Sequence, residues 1–262
     1  MYQGAVFLDA DGTMLDETCG ICSPTAKTLE AIAALRARGY LVALATGRAK
    51  CYIPEGLLCF ESYITTNGAH AEVAGVSIWD DTIAPDALDR LLAFLEGAGI
   101  NYIIESQQIC FVKDPNETYY RRMAQLFRLD TSKFLPLEDP HAIAVNKLMI
   151  TYDSPQKLER FHREFDDLYE ITDQPGNYSC DVGKRGINKG VAIEKLLAHY
   201  GIDRRCTYAF GDADNDYDML RTVGTGVMMA RHSKRLEQVC SLVTDSVRDE
   251  GVWRGLVRLG LI

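Results

Sequence analysis

Short apolar runs that end in polar residues recur along the chain, and this pattern limits its fold most strongly. AVFLD near the N-terminus and YLVALAT near residue 40 are apolar almost throughout, which is typical of strands in a parallel sheet covered on both faces. A helix is predicted between them, with Ser23 as N-cap, Pro24 at the first helical position and a stop at Gly39. This alternation predicts an α/β fold with a Rossmann-like parallel sheet.

The same alternation returns near the C-terminus, where the helix NKGVAIEKLLAHYG precedes the strands CTYAFGDAD and GTGVMMA. The segment between about Asp81 and Gly183 differs, because helical patterns there alternate with hairpin-like pairs such as NYIIES and QICFVK. We therefore predict a discontinuous Rossmann-like core, residues 1–81 and 184–262, with an α+β domain inserted at 82–183.

The charge and the apolar runs of the sequence argue against nucleic acid and the membrane as partners. A net charge of −9 and a pI near 5.1 argue against nucleic acid, whose phosphates require clustered Lys and Arg. The sequence has no signal-peptide pattern, and no apolar run approaches the roughly 20 residues that span a bilayer. A cytoplasmic protein without a membrane partner is expected. No feature of the sequence indicates an oligomeric state.

Eight cysteines are scattered through the chain, at a density below that of disulfide scaffolds. Cys19 and Cys22 have CxxC spacing, which fits a redox couple or half of a zinc site. Zinc would need a second pair or a histidine cluster, and none occurs at suitable spacing. A redox role for this pair stays open, and most of the thiols are expected to be buried or inert.

Polar residues that could take part in binding or catalysis follow the predicted strands or begin a helix. They are Asp9 with Asp11, Thr46 with Gly47 and Arg48, Lys189, and the acidic run from Asp212. In an open parallel sheet, ligands bind outside the carboxyl ends of the strands. These groups are therefore expected to converge on one edge of the sheet.

The acidic run GDADNDYD resembles a calcium-binding EF-hand loop but fails its spacing. The positions that require Gly and Glu are occupied by Tyr217 and Val223. A helix dipole could explain Asp214 and Asp216 near a helix start, but it does not explain Asp212 at the end of the strand TYAF.

Lys189 carries the opposite signal. A cation in the first turn of a helix opposes the dipole, although the same position suits a lysine that faces a bound phosphate. The alternative is a solvated surface lysine. Together the carboxylates, the Thr46 hydroxyl and Lys189 predict a site for Mg²⁺ and a phosphoryl group, where an Asp can act as nucleophile.

Four ordered motifs resemble those of the haloacid dehalogenase superfamily of phosphatases: DADGT at 9–13, ATGR at 45–48, NKG at 188–190 and GDADND at 211–216. Further segments are similar to its Cof-like branch, namely TTNGA at 65–69, GVMMA at 226–230 and TDSVRDEGVWRGL at 244–256. The resemblance covers essentially the whole chain outside the inserted block.

This resemblance implies a role for each matching residue. Asp9 would attack phosphorus, and Asp11 would protonate the leaving oxygen and then activate water. The phosphoryl group would be held by Thr46, Gly47, Lys189 and Asn215. Mg²⁺ would be bound by Asp9, Asp212 and the Asp11 carbonyl. Asp216 would support the metal or Lys189, and Gly12 would allow the turn that brings Asp11 to the site. The inserted domain would be an α/β cap that selects a small phosphorylated metabolite.

Two other functions remain open. A sugar phosphomutase would need a second phosphate site, for which Arg121 and Arg122, or Lys147, are candidates, although paired basic residues on a helix more often form a solvated face. A non-catalytic sensor of phosphate ligands would be expected to lose a nucleophile or a metal-binding acid, and all of these are present.

Overall fold

A computed structural model describes residues 2–174 and 176–262. The chain forms two compact units. The first contains the residues up to Gly47, Ile53–Trp79 and Asn188–Ile262, and the second contains Arg48–Tyr52 and Asp80–Ile187. Within the described residues, no helix is both long and apolar enough to cross a membrane.

The strands in chain order are β1 Gly4–Leu8, β2 Tyr40–Ala45, β3 Ser62–Thr65, β4 His70–Val73, β5 Val76–Asp80, β6 Asn101–Glu105, β7 Cys110–Val112, β8 Phe134–Pro136, β9 Lys147–Thr151, β10 Tyr169–Gln174, β11 Ser179–Lys184, β12 Thr207–Gly211, β13 Thr225–Met228 and β14 Leu242–Val243. The α-helices are α1 Ala26–Ala37, α2 Pro85–Ala98, α3 Thr118–Leu126, α4 Pro155–Phe165, α5 Lys189–Tyr200, α6 Tyr217–Thr222 and α7 Gly251–Arg258.

The first unit is built on a sheet in the order β14-β13-β12-β1-β2-β3-β4-β5. The pairings from β14 to β3 are parallel, and β4 runs antiparallel to β3. Alternate residues of β1 are buried on opposite faces, Phe7 in one apolar cluster with α5 and α6 and Leu8 in another with α1 and α7. The predicted α/β core with a parallel sheet is confirmed.

The register of the central strands sets the position of the functional residues. Leu8 at the end of β1 pairs with Leu44 on β2 and with Phe210 on β12. Residues that follow these three strands therefore emerge at one edge of the sheet, as expected for a doubly wound fold.

The start of α1 differs from the predicted one. Thr25, not Ser23, is the N-cap, because its side-chain oxygen accepts a hydrogen bond from the Thr28 amide at 3.2 Å. Pro24 consequently precedes the helix. Gly39 lies just beyond the end of the helix, with a φ of 81°.

The second unit contains a sheet in the order β10-β11-β9-β6-β7-β8, antiparallel except for the parallel pair β7 and β8. One face of this sheet packs against α2 and α4. The other face packs against α3, and Ala49 and Tyr52 of the short segment Arg48–Tyr52 belong to the same apolar cluster.

Three ionisable side chains from adjacent strands are buried within the second unit. Lys147 Nζ on β9 lies 2.7 Å from Asp181 Oδ1 on β11 and 3.4 Å from Glu105 Oε2 on β6. The Tyr52 hydroxyl also donates to Glu105 Oε2 at 2.9 Å. Because Lys147 is paired with both acids, it does not provide the free cation that a second phosphate site would need.

Candidate active site

Lys189 lies at the centre of a buried charged cluster in the first unit. Its Nζ is 2.6 Å from Asp9 Oδ1 and 2.6 Å from Asp216 Oδ1. The lysine side chain is fully buried at the first position of α5, so the alternative of a solvated surface lysine is wrong. Asp9 follows β1 directly, and its amide donates to Phe210 O at 3.0 Å.

Asp216 supports the neighbouring groups. Its Oδ2 accepts hydrogen bonds from the amides of Asp212 and Ala213 at 2.9 and 3.1 Å, while its Oδ1 accepts from Lys189. Both oxygens of this buried carboxylate are thereby committed to protein donors. Asp216 therefore fixes the loop after β12 and orients the lysine.

Asp212 offers a different kind of oxygen. Among the described residues, its buried Oδ1 has no hydrogen-bond partner, which is costly unless a ligand supplies one. Oxygen atoms of Asp9, Asp212 and Asp216 lie within 4.8 Å of one another. A set of carboxylate oxygens with one unpartnered member fits a hard divalent cation such as Mg²⁺.

The electrostatics of the cluster also favour a cation. Burial, followed by the charge of Asp216, raises the pKa of Asp9 to about 7. Burial, followed by the charges of Asp9 and Asp216, raises the pKa of Asp212 to about 9. The same two acids raise the pKa of Lys189 above its usual value although burial opposes them, so the lysine stays charged. One lysine does not offset three carboxylates, and a divalent cation would stabilise their ionised forms.

A tight turn places Asp11 beside Asp9. Gly12 donates its amide to Leu15 O at 2.8 Å with a φ of 90°, a conformation that favours glycine. A Cβ at Gly12 would lie only 2.1 Å from Asp212 Oδ2. The turn therefore passes directly against the proposed metal ligand, and the Asp11 charge contributes to the raised pKa of Asp9.

Thr46, Gly47 and Asn215 meet at a residue to which the sequence analysis gave no role. The Asn67 amide donates to Thr46 O at 3.2 Å, and Asn67 Oδ1 accepts from Asn215 Nδ2 at 3.0 Å. A Cβ at Gly47 would lie 2.8 Å from Asn67 Oδ1. Asn67 thus contacts or closely approaches three of the four predicted phosphate-binding residues, all but Lys189.

The backbone at Asn67 is unusual. Thr66 and Asn67 have φ values of 49° and 55°, and such left-handed conformations concentrate at functional sites. The Asn67-Gly68 dipeptide is a turn signal in the sequence. This dipeptide predicts a turn, but nothing in the sequence indicates that the Asn67 side chain reaches Asn215.

Buried acids and a lysine therefore lie at the carboxyl-end edge of a doubly wound parallel sheet, where ligands bind in this class of fold. The sequence pattern of haloacid dehalogenase-like hydrolases matches residues 6–256. The chain belongs to this family, which confirms the resemblance and, together with relatives named as phosphatases, the predicted phosphatase class of enzyme.

Individual relatives span nearly the whole chain. YkrA of Bacillus subtilis (strain 168) is 26% identical over 98% of this chain and 98% of its own. An HMP-PP phosphatase of Yersinia pseudotuberculosis is 29% identical over 91% of this chain and 87% of its own. The solved structure of the subclass IIB sugar phosphatase BT4131 superposes with a TM-score of 0.85 at 25% identity, covering 99% of this chain and 100% of that one.

Proposed function

We propose that the protein hydrolyses phosphate monoesters of small metabolites through an aspartyl-phosphate formed on Asp9. The observation that carries this proposal is the Asp9 carboxylate at the end of β1, with one oxygen held 2.6 Å from Lys189 Nζ. A carboxylate fixed in this way can attack phosphorus with its other oxygen. The fixed geometry matters because phosphoryl transfer depends mainly on positioning and charge stabilisation.

Asp11 is assigned the proton transfers. It would protonate the leaving oxygen of the ester and then accept a proton from the water that attacks the aspartyl-phosphate. Its position two residues after Asp9, on the turn at Gly12, supports this division of labour. Lys189 then keeps the same contact with Asp9 in both steps.

The phosphoryl oxygens are assigned to Thr46, Gly47, Lys189 and Asn215. The lysine and the start of α5 both favour an anion at this position. Asn67 orients Asn215 through the hydrogen bond at 3.0 Å. The phosphoryl group is thereby met by donors from three separate segments of the first unit.

Asp9, Asp212 and the main-chain carbonyl of Asp11 would hold Mg²⁺, with Asp216 orienting the Asp212 loop. When bound, the ion would supply positive charge that stabilises the phosphoryl oxygens and the ionised acids. The unpartnered Oδ1 of Asp212 is the feature that supports this assignment.

The substrate is proposed to be a small phosphorylated metabolite, in line with relatives named for HMP-PP and for sugar phosphates. The inserted second unit is proposed to select its organic part. We further propose a cytoplasmic location, because no disulfide joins the eight cysteines, all of which lie among the described residues, as is usual in a reducing compartment.

A panel of metabolite phosphates, assayed for phosphate release with Mg²⁺, tests the proposal. We expect Asp9→Asn to abolish release of phosphate from every substrate that the wild type accepts. Asp214→Asn is the matched control, because Asp214 belongs to the same acidic run as Asp212 but is exposed. Undiminished turnover by Asp9→Asn would refute the nucleophile.

Two further outcomes distinguish the alternative functions. Isomerisation of a sugar phosphate that requires a bisphosphate activator would indicate a mutase. Binding of phosphate esters without any Mg²⁺-dependent turnover by the wild type would indicate a sensor.

A further inference from the structure

Two thiols that lie far apart in sequence are in contact within the second unit. Cys51, in the segment Arg48–Tyr52, and Cys110, at the start of β7, have their sulfur atoms 3.6 Å apart. Cys51 Sγ also donates a hydrogen bond to Ser106 O at 3.6 Å. The Cys51 sulfur is therefore held by one contact to the turn between β6 and β7 and by one to the first residue of β7.

The two thiols differ in accessibility. Cys51 is partly exposed, whereas Cys110 is fully buried. The hydrogen bond that Cys110 shares with Cys51, followed by burial, raises the pKa of the Cys110 thiol far above its usual value, so this thiol reacts poorly with a dissolved oxidant. A dissolved oxidant would consequently meet Cys51 first, and Cys110 would be the partner that lies ready beside it.

Glu105 provides a polar neighbour for Cys110. The two residues pair directly between β6 and β7, which places their side chains on the same face of the sheet. Among the residues that the structure describes, Glu105 Oε1 is buried without a hydrogen-bond partner. This oxygen is an acceptor that no described group uses in the reduced protein.

We propose that Cys51 and Cys110 form a reversible disulfide when the protein meets a peroxide. In the first step, the Cys51 sulfur takes one oxygen from hydrogen peroxide to become a sulfenic acid, and water is released. In the second step, the Cys110 sulfur attacks the Cys51 sulfur, the S–S bond forms and the S–O bond breaks. The departing hydroxyl leaves as water with the Cys110 proton. Two thiols and one peroxide thus give one disulfide and two waters.

The bond would join the segment Arg48–Tyr52 covalently to β7 of the same unit. That segment directly follows Thr46 and Gly47 in the chain. Formation of this disulfide does not depend on the proposed phosphatase function.

The test treats the full-length protein with stoichiometric hydrogen peroxide, alkylates the remaining thiols and maps the peptides by mass spectrometry. We expect a peptide pair linked through Cys51 and Cys110, lighter by two hydrogens, that dithiothreitol separates. The other six of the eight cysteines should be recovered as alkylated thiols. Absence of this pair, or linkage of Cys19 to Cys22 in its place, would overturn the proposal.

Variants test the order of the two steps. In Cys110→Ser, the sulfenic acid on Cys51 should persist and react with dimedone, whereas Cys51→Ser should leave Cys110 unlabelled. Cys180→Ser is the matched control, because Cys180 is also buried in the second unit but belongs to the cluster on the opposite face of the sheet. It should form the linked peptide as the wild type does. Labelling of Cys110 in Cys51→Ser would refute the assigned order.

Discussion

Replacement of Gly12 by alanine tests the proposed metal site, and replacement of Gly20 by alanine shows how much of the effect comes from backbone strain alone. Gly12 and Gly20 both have positive φ values, 90° and 77°. A Cβ at Gly20 would meet no atom within 4 Å, whereas one at Gly12 would lie 2.1 Å from Asp212 Oδ2 and 2.4 Å from its Cγ. Both substitutions strain the backbone by about 1–3 kcal/mol. Only Gly12→Ala also displaces Asp212.

The size of the catalytic effect follows from these distances. An ordinary contact begins at 3.4 Å, so the Asp212 carboxylate must move by about 1.3 Å in Gly12→Ala. A misplacement of about 1 Å at a reacting centre lowers the rate roughly 100-fold. That factor corresponds to about 2.7 kcal/mol of transition-state stabilisation.

The assay measures kcat/KM for one accepted phosphate ester over a range of Mg²⁺ concentrations, together with thermal unfolding of both variants. We expect similar losses of stability, a loss in kcat/KM of about 100-fold for Gly12→Ala and little change for Gly20→Ala. Equal activity and equal Mg²⁺ dependence in the two variants would refute the assignment of Asp212 to the metal.

Two further predictions concern stability. Mg²⁺ at about 100 times its dissociation constant should raise the free energy of unfolding by about 2.7 kcal/mol, measured by thermal unfolding with and without EDTA. Asp212→Asn should lose most of this gain. Retention of the full gain in this variant would contradict the metal site. Glu105, whose pKa burial raises from 4.5 to about 7, should stabilise the fold fully below pH 4.5 and lose this contribution as the pH rises through 7. Urea unfolding should therefore show Glu105→Gln gaining stability relative to wild type over this range, by at most about 3 kcal/mol, and a constant difference would contradict the prediction.

Local sequence signals predicted the parts of the site that depend on strand ends. Asp9, Thr46 and Asp212 each follow an apolar strand, and a parallel sheet brings such ends together without further information. Lys189 was informative because its position opposes the helix dipole, and the structure shows the acids that compensate for this.

Features that depend on long-range register were not predictable. Glu105 and Lys147 become neighbours only because β6 pairs with β9 in one particular alignment, and neither residue signals this locally. Asn67 is similar, since its contact with Asn215 joins segments 148 residues apart. The N-cap of α1 was misplaced for a different reason, because Ser23 and Thr25 are both good caps and only the backbone geometry selects one.

The two units each bury one lysine between acids, but the two clusters have different deficits. In the second unit, Lys147 faces Asp181 and Glu105, and the Tyr52 hydroxyl supplies an additional donor to Glu105. In the first unit, Lys189 and two main-chain amides satisfy Asp216 and one oxygen of Asp9, yet Asp212 keeps a buried oxygen without a described partner. Glu105 Oε1 is also buried without a described partner, so the difference between the clusters lies in their charge. One lysine faces two acids in the second cluster, where a hydroxyl donor assists it, but three acids in the first, which therefore needs more positive charge. This difference supports a cation site beside Asp9 and not beside Lys147.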